Sequence, residues 1–251
     1  MKISLIIPVY NEAAHLQRFL ETIDALDLGI TKELVFVDDC SRDGSRDLIQ
    51  TFGFKSETRT LFHPANRGKG AALQSGIQAA TGDLIAIQDA DFEYDPNDLK
   101  ALIKPILESR ADVVFGSRFR ASGTQVHRTF HYIVNRLLTL FSNLMSGLYL
   151  SDMETCYKIF RAEILKNIVL QSQRFGFEPE ITSKIARLKV RVEEMPISYF
   201  PRNYLEGKKI NWKDGVAAFW HIVRFNLFVD DAKRFRPDMP KQYLIRGTQW
   251  L

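Results

Sequence analysis

The chain has 251 residues, 45% apolar and 25% charged, the composition of a globular protein long enough to bury a full core. A formal charge of +4 suits an anionic substrate or an anionic membrane surface. The basic residues are scattered and form no zinc-finger, helix-turn-helix or RNP-type pattern, so no nucleic-acid partner is expected, and two cysteines, Cys40 and Cys156, exclude a disulfide framework and read as free thiols. From the N-terminus, Lys2 to Val9 is a nearly continuous apolar strand. Pro8 and Asn11 interrupt the apolar run and no small-residue cleavage site follows, so a signal peptide is not expected. Asn11-Glu12 then opens a helix from Ala13 to Leu26. Glu33 to Val37 is a second buried strand, ending at Asp38-Asp39, and Ser41, Asp43 and Ser45 are candidate caps for a helix over Arg46 to Phe52. Thr58 to Phe62 is a third strand, and Asn66-Arg67-Gly68-Lys69-Gly70 leads into a helix over Ala71 to Ala80.

The next stretch, Leu84 to Asp98, organises the chain. Leu84 to Ile87 reads as a buried strand that runs straight into Asp89-Ala90-Asp91, with Glu93 two places on and Pro96 at the first turn of a helix. Two carboxylates one residue apart at a strand mouth repel each other and resist burial, unless a divalent cation sits between them. Oxygen ligands with room left for phosphate oxygens are how magnesium or manganese is held. The plain alternative is a solvated turn carrying acids near a helix N-terminus. Asp98 to Ser109 continues as helix, and Asp112 to Gly116 is a fifth strand ending at Ser117-Arg118.

Strands buried on both sides and alternating with helices imply a largely parallel sheet covered on both faces. Tyr10, Glu12, Asp38, Asp39, Asp89, Asp91 and Arg118 all fall at or just past carboxyl strand ends, where open α/β sheets bind ligands. No strand carries a GxGxxG turn, and Gly68-Lys69-Gly70 lacks the spacing of a P-loop, so dinucleotide and ATPase folds are disfavoured.

Beyond Arg118 the alternation ends. Phe130 to Leu150 is an apolar stretch of helical character, Cys156 to Phe160 a short strand, and Arg161 to Ile168 a short helix. A further helix ends near Leu188, Val190 to Met195 is a strand, and Asp214 to Val229 is a heavily apolar helix. Both long apolar segments have basic flanks, and two readings stay open for them: a bilayer interface, or packing in a core or homodimer contact. The longest uncharged stretch, Leu137 to Ser151, is too short and too polar for a membrane span.

Seven stretches together resemble family-2 glycosyltransferases of the GT-A fold, and among them the relatives of dolichyl-phosphate mannose synthase. They are SLIIPVYNE (Ser4 to Glu12), VDDCSRDGS (Val37 to Ser45), NRGKGAAL (Asn66 to Leu73), DADFEYDP (Asp89 to Pro96), GSRF (Gly116 to Phe119), SDMETCYKIFR (Ser151 to Arg161) and RFGFEPEI (Arg174 to Ile181). The resemblance implies a catalytic domain over 1–213, with a nucleotide-binding half at 1–118 and an acceptor-binding half at 119–213, then a C-terminal amphipathic helix and tail over 214–251. It implies that Pro8, Tyr10, Glu12, Asp39, Lys69 and Asp89 bind the nucleotide, with Asp39 at the base or ribose. Asp89 and Asp91 hold Mg2+ or Mn2+ with the diphosphate, and Glu93, where relatives usually have Gln, is a third ligand. Arg118, Arg128, Arg202, Lys208 and Lys209 seat an acceptor phosphate, with Arg118 and Arg202 close to the reacting groups.

The activity so implied is inverting transfer of a hexose from a UDP- or GDP-sugar to a polyprenyl phosphate, at the cytoplasmic membrane face. Contact with the lipid is then peripheral or through a membrane-protein partner. A phosphate monoester with a second pKa of about 6 is already an anion near neutral pH and needs cations more than a base. A saccharide hydroxyl would need a general base, for which Asp152 is the nearest acid. Transfer to a hydroxyl, nucleotidyl transfer, and a non-catalytic nucleotide-sugar-binding or membrane scaffold remain as alternatives.

Overall fold

The computed structural model of the protein describes residues 1–120, 129–174, 176–201 and 212–245. Apolar runs need backbone partners once buried. Here they find them in one seven-stranded sheet, ordered β3-β2-β1-β4-β6-β5-β7. The strands are β1 (Lys2–Val9), β2 (Thr31–Asp38), β3 (Glu57–Phe62), β4 (Leu84–Ile87), β5 (Val113–Ser117), β6 (Lys158–Arg161) and β7 (Val192–Pro196). Leu84 to Ile87 and Val113 to Ser117 are buried throughout, as strands covered on both faces must be. The result is a single α/β sheet flanked by helices, as the alternation of elements implied.

The first half is parallel. β1 pairs with β2 in the register Val9 to Asp38 and with β4 in the register Ile6 to Ile87. Chain order therefore reverses at β1, which leaves a crevice between the carboxyl ends of β1 and β4. The departure from an all-parallel sheet is β6. It runs antiparallel between β4 and β5, pairing Ala86 with Ile159 and Val114 with Ile159. An antiparallel strand starts where its parallel neighbours finish. The loop leading into β6, Ser151 to Tyr157, is thereby delivered to the ligand-binding end of the sheet.

The helices are α1 (Ala13–Ala25), α2 (Ser45–Thr51), α3 (Lys69–Ala79), α4 (Leu99–Leu102), α5 (Lys104–Leu107), α6 (Thr129–Ser146), α7 (Ala162–Leu165), α8 (Phe177–Ile185) and α9 (Trp212–Val223). α1 buries Leu16, Phe19, Leu20 and Ile23, one stripe at helical spacing. The helix expected over Asp98 to Ser109 is split into α4 and α5, because Pro105 has no N–H to bond back into the preceding turn. α6 stops at Ser146 and not at Leu150, since Gly147 takes a left-handed φ of 77°. α9 widens after Val223 into a π-helical turn over Arg224–Phe228.

Two apolar clusters result. The main one joins both faces of the sheet. The smaller one packs Leu138 of α6 against Ala218 and Ile222 of α9, with Met153 of the β6 loop between them. Phe141 and Phe219 stack across the two helices at 4.4 Å. Among the described residues no helix is long and apolar enough to cross a membrane.

Candidate active site

Three strands empty into the crevice, and each ends in a non-glycine residue held at positive φ: Asn11 after β1 (51°), Cys40 after β2 (66°) and Phe92 after β4 (56°). Such conformations cost energy and persist where the surroundings over-determine them. The surroundings here are side-chain bonds between loops. Ser41 and Ser45 accept from the backbone N–H groups of Asn11 and Glu12, and Asn11 accepts from the N–H of Arg42. Tyr10 stands more than a third exposed at this rim, and Pro8 lies in β1 opposite Val37.

Asp39, expected at the base or ribose, is buried beneath the Asn66–Gly70 turn. Its carboxylate accepts from the N–H groups of Arg67 (2.9 Å) and Gly68 (2.6 Å) and lies 2.7 Å from Nδ1 of His63. It therefore anchors the turn. The turn in turn lies against the backbone of Ser172 to Arg174. A side chain at Gly68 would meet the carbonyl of Gln173 at 2.5 Å, and one at Gly70 would collide with Ser172. These glycines allow the close approach that sets Lys69 at the start of α3.

Lys69 then reaches across the crevice. Its Nζ lies 3.0 Å from the Asp89 carboxylate and 3.6 Å from Glu178 in the first turn of α8. Burial alone would lower the pKa of Lys69; Asp89, Cys156 and Glu178 together outweigh it and hold the ammonium well above its ordinary value. Asp91 closes a tight turn by accepting from the N–H of Glu93 at 3.0 Å, so both carboxylates of the DAD stretch lie at the mouth of β4, and both are half-buried. Glu93 accepts from the hydroxyl of Tyr199 at 3.1 Å, and among the described residues no three His, Cys, Asp or Glu side chains converge on a cation. Asp89 is nonetheless built to hold positive charge, since an ammonium already sits on it, and an oxygen-donor pair short of a full shell suits Mg2+ or Mn2+ shared with a diphosphate.

On the β5 side, Arg118 does not stand free for a phosphate. It forks onto Asp152 through Nε (2.7 Å) and Nη2 (2.8 Å), and its backbone N–H donates to the same carboxylate at 3.0 Å. Burial would push the Asp152 carboxyl up; Arg118 overcomes this and holds it below the ordinary range. Asp152 is therefore held as an anion in a buried ion pair with Arg118. Glu194 of β7 straps the same loop by accepting from the N–H groups of Ser151 and Asp152. The rings of Tyr94 and Tyr199 pack at 5.4 Å, and Arg118 lies 5.1 Å over the Tyr199 ring. Arg128, Arg202, Lys208 and Lys209 lie outside the described residues.

Sequence reasoning gave no role to three charged residues that the β6 loop and α8 bring to this end: Glu154, Lys158 and Glu178. Lys158 is fully buried, donates to the carbonyls of Met153 (3.1 Å) and Thr155, and sits 5.0 Å over the Phe115 ring. Burial lowers its pKa against the pull of Glu178. All three lay inside the stretches SDMETCYKIFR and RFGFEPEI, so position in those motifs was the available signal.

The model of the family described as glycosyl transferase family 2 matches residues 4–169, well over half of the chain. The protein belongs to that family. As a family-2 glycosyltransferase it is 30% identical over 248 residues to a dolichyl-phosphate beta-glucosyltransferase of Trichomonas vaginalis, an alignment covering 90% of this chain and 73% of that one. It is also 30% identical to an undecaprenyl-phosphate mannosyltransferase of Micrococcus luteus, over 90% of this chain and 99% of the relative. Its fold matches a glucosyl-3-phosphoglycerate synthase of Mycobacterium tuberculosis, solved with Mn2+, UDP and glucosyl-3-phosphoglycerate. The TM-score is 0.69 at 18% identity, over 92% of this chain and 81% of that one.

Proposed function

We propose that this glycosyltransferase moves a hexose, with inversion, from a UDP- or GDP-sugar to a polyprenyl phosphate at a membrane face. The observation that carries this reading is the division of charge across the crevice. Asp89 at the mouth of β4 faces Lys69, while the acid best placed by sequence to serve as a base, Asp152, is locked by Arg118. Transfer to a hydroxyl needs a base, whereas a phosphate monoester brings its own nucleophilic anion. The names of the two similar relatives, one acting from dolichyl phosphate chemistry and one from undecaprenyl phosphate chemistry, support the same acceptor class.

In this reading Asp89 and Asp91 hold Mg2+ or Mn2+, which neutralises charge on the departing nucleoside diphosphate. Lys69 adds a second positive charge on the same side, and the rim formed by Tyr10, Glu12 and the positive-φ Asn11 borders the nucleotide. Arg118, fixed by Asp152 and lying over Tyr199, forms with it a rigid wall on the acceptor side. Arg202, Lys208, Lys209 and Arg128 are proposed to complete the phosphate seat.

Membrane contact is supported by apolar residues left uncovered on α6 and α9. Ile133, Leu137, Leu140 and Leu144 form one exposed stripe at helical spacing on α6, and Val216, Phe219 and Trp220 of α9, with Leu227 and Phe228 of the turn after it, are exposed as well. Beside them an open groove of about 410 Å³ is lined by Trp220, Phe228, Arg224 and Lys233, a mix of aromatic and basic groups suited to a lipid headgroup region. The test is transfer from UDP-glucose, UDP-galactose and GDP-mannose, with Mn2+ or Mg2+, to a short-chain polyprenyl phosphate and to a panel of free saccharides. Formation of a polyprenyl-phosphate hexose is expected. Product only with the saccharides would overturn the acceptor assignment.

A further inference from the structure

We propose that Glu154 is a specificity-determining residue whose carboxyl hydrogen-bonds a hydroxyl of the transferred hexose. This deepens the proposed transfer reaction and rests on it. Glu154 stands on the loop that the antiparallel β6 delivers to the carboxyl end of β4, two residues before Cys156, whose thiol is against the Asp89 carboxylate. A donor held by its diphosphate at Asp89 and Asp91 must place its sugar further along the crevice, towards this loop and away from the nucleotide rim at Tyr10.

The side chain has the properties of a ligand contact that still lacks its ligand. Glu154 is half-buried, yet its Oε1 is sealed from solvent and has no hydrogen-bond partner. A buried, unsatisfied carboxyl oxygen is costly, and in native folds such an atom demands an explanation. Of its neighbours on the same loop, Thr155 likewise has a buried hydroxyl with no partner, whereas the charged ones are engaged. Asp152 is held by Arg118 and Glu194, and Lys158 by the carbonyls on either side of Glu154. Glu178 is drawn to Lys69. The groups facing Glu154 are thus Glu178, Lys158, Arg118 and Asp152, and none neutralises it by direct contact.

Burial first, then the negative charge of Glu178, pushes the Glu154 carboxyl up to about 7 against the opposing pull of Lys158 and Arg118. A carboxyl with a pKa near 7 is protonated in a large share of the molecules at neutral pH, and the protonated form both donates and accepts, which matches a sugar hydroxyl. Hydrogen bonds of this kind discriminate strongly between epimers, because the wrong hydroxyl geometry leaves a buried group unpaired.

The experiment measures equilibrium binding of UDP, GDP, UDP-glucose, UDP-galactose and GDP-mannose, each with Mn2+ and without acceptor, to the wild type and to Glu154→Ala and Glu154→Gln. For the sugar the wild type prefers, Glu154→Ala is expected to weaken nucleotide-sugar binding roughly tenfold and to leave the free nucleoside diphosphate within twofold. Preference between the epimeric pair UDP-glucose and UDP-galactose is expected to shrink. Glu154→Gln, which retains a donor and an acceptor, is expected to rescue binding to within about threefold. Equal loss for diphosphate and nucleotide-sugar would overturn the proposal, as would wild-type binding in Glu154→Ala. It also fails if Glu154→Gln binds donor normally yet has lost transfer, because the residue would then be a general base and the acceptor a hydroxyl. A wild type that binds no nucleotide-sugar would instead reject the donor class itself.

Discussion

Arg118 and Asp152 meet in a two-pronged contact of 2.7 and 2.8 Å, reinforced by the Arg118 backbone N–H, although 34 residues separate them. Both side chains are almost wholly shielded from water. Removing one member of such a pair strands the other as an uncompensated buried charge, a loss of about 3–5 kcal/mol. Arg118→Gln and Asp152→Asn are each expected to lower unfolding stability on this scale and to reduce transfer to a similar extent. The double variant is expected to fall no further than either alone, because the two act as one unit. A double-mutant cycle on urea unfolding and on transfer rate checks this. Additive losses would show that Asp152 works independently of Arg118.

Lys69 and the divalent cation compete for Asp89 in the proposed reaction. With the Lys69 ammonium 3.0 Å away, part of the affinity of Asp89 for a metal is already offset. Lys69→Met is expected to tighten Mn2+ binding several-fold in the absence of nucleotide and to weaken UDP or GDP binding in its presence. Asp89→Asn and Asp91→Asn are expected to weaken both and to cut transfer by about a thousandfold or more while the chain stays folded. Mn2+ titration followed by electron paramagnetic resonance, with circular dichroism as the folding control, separates these outcomes. Unaltered metal affinity in Asp91→Asn would remove it from the cation site.

Glu33 makes the acid limb of stability predictable. It is buried on β2, where burial raises its pKa, but hydrogen bonds from Ser4, Thr81 and Arg59 prevail and hold it at about 2, against an ordinary value of 4.5. A carboxyl depressed by folding contributes fully above its unfolded pKa, and the contribution is lost as pH falls from about 4.5 towards 2. The depression corresponds to about 3 kcal/mol. Glu33→Gln is expected to lose roughly that amount at pH 7, and its stability is expected to depend less on pH below 4.5 than that of the wild type. Urea unfolding at several pH values tests it, and parallel curves for the two proteins would rule Glu33 out as a source of acid sensitivity.

Which parts of this architecture could be read before the fold was known follows from how local their causes are. The strand Leu84 to Ile87 and the carboxylates behind it are signalled within one short window, since burial and strand-end position are both set by neighbouring residues. The orientation of β6 is not local. Four residues, Lys158 to Arg161, fit a parallel or an antiparallel slot equally well, and only pairing with Ala86 and Val114 on either side decides. The roles of Arg118 and Asp152 were separated in sequence, one as an acceptor contact and one as a base, because nothing local reveals that they neutralise each other. Glu93 is a similar case: the resemblance implied a metal ligand there, and nothing local shows that Tyr199, 106 residues away, donates its hydroxyl to that carboxylate. Glu154 was visible as a letter in a motif, but its character comes from burial beside Glu178, which a sequence does not display.

The exposed stripe on α6 and the exposed apolar residues of α9 make the last prediction. Leu137, Leu140 and Leu144 are each more than half exposed, and so is Trp220, yet Leu138 and Ile222 on the inner faces hold the two helices together. Polar substitutions on the outer stripe should therefore spare the fold, whereas the same change at Ile222 would open the smaller cluster. If the stripe enters a bilayer interface, Leu140→Ser/Leu144→Ser and Trp220→Ser are expected to lower co-sedimentation with anionic phospholipid vesicles by roughly tenfold, at about 25 cal/mol for each Å² of apolar surface withdrawn. Binding of UDP- or GDP-sugar in detergent-free buffer is expected to stay unaffected, and transfer to a long-chain polyprenyl phosphate in vesicles to fall more than transfer to a short soluble analogue. Raising salt is expected to weaken the vesicle interaction further, because Arg224 and Lys233 border the aromatic groove. Unchanged sedimentation in both variants would assign the stripe to a protein contact instead, and a concentration-dependent dimer lost on the same substitutions would identify it.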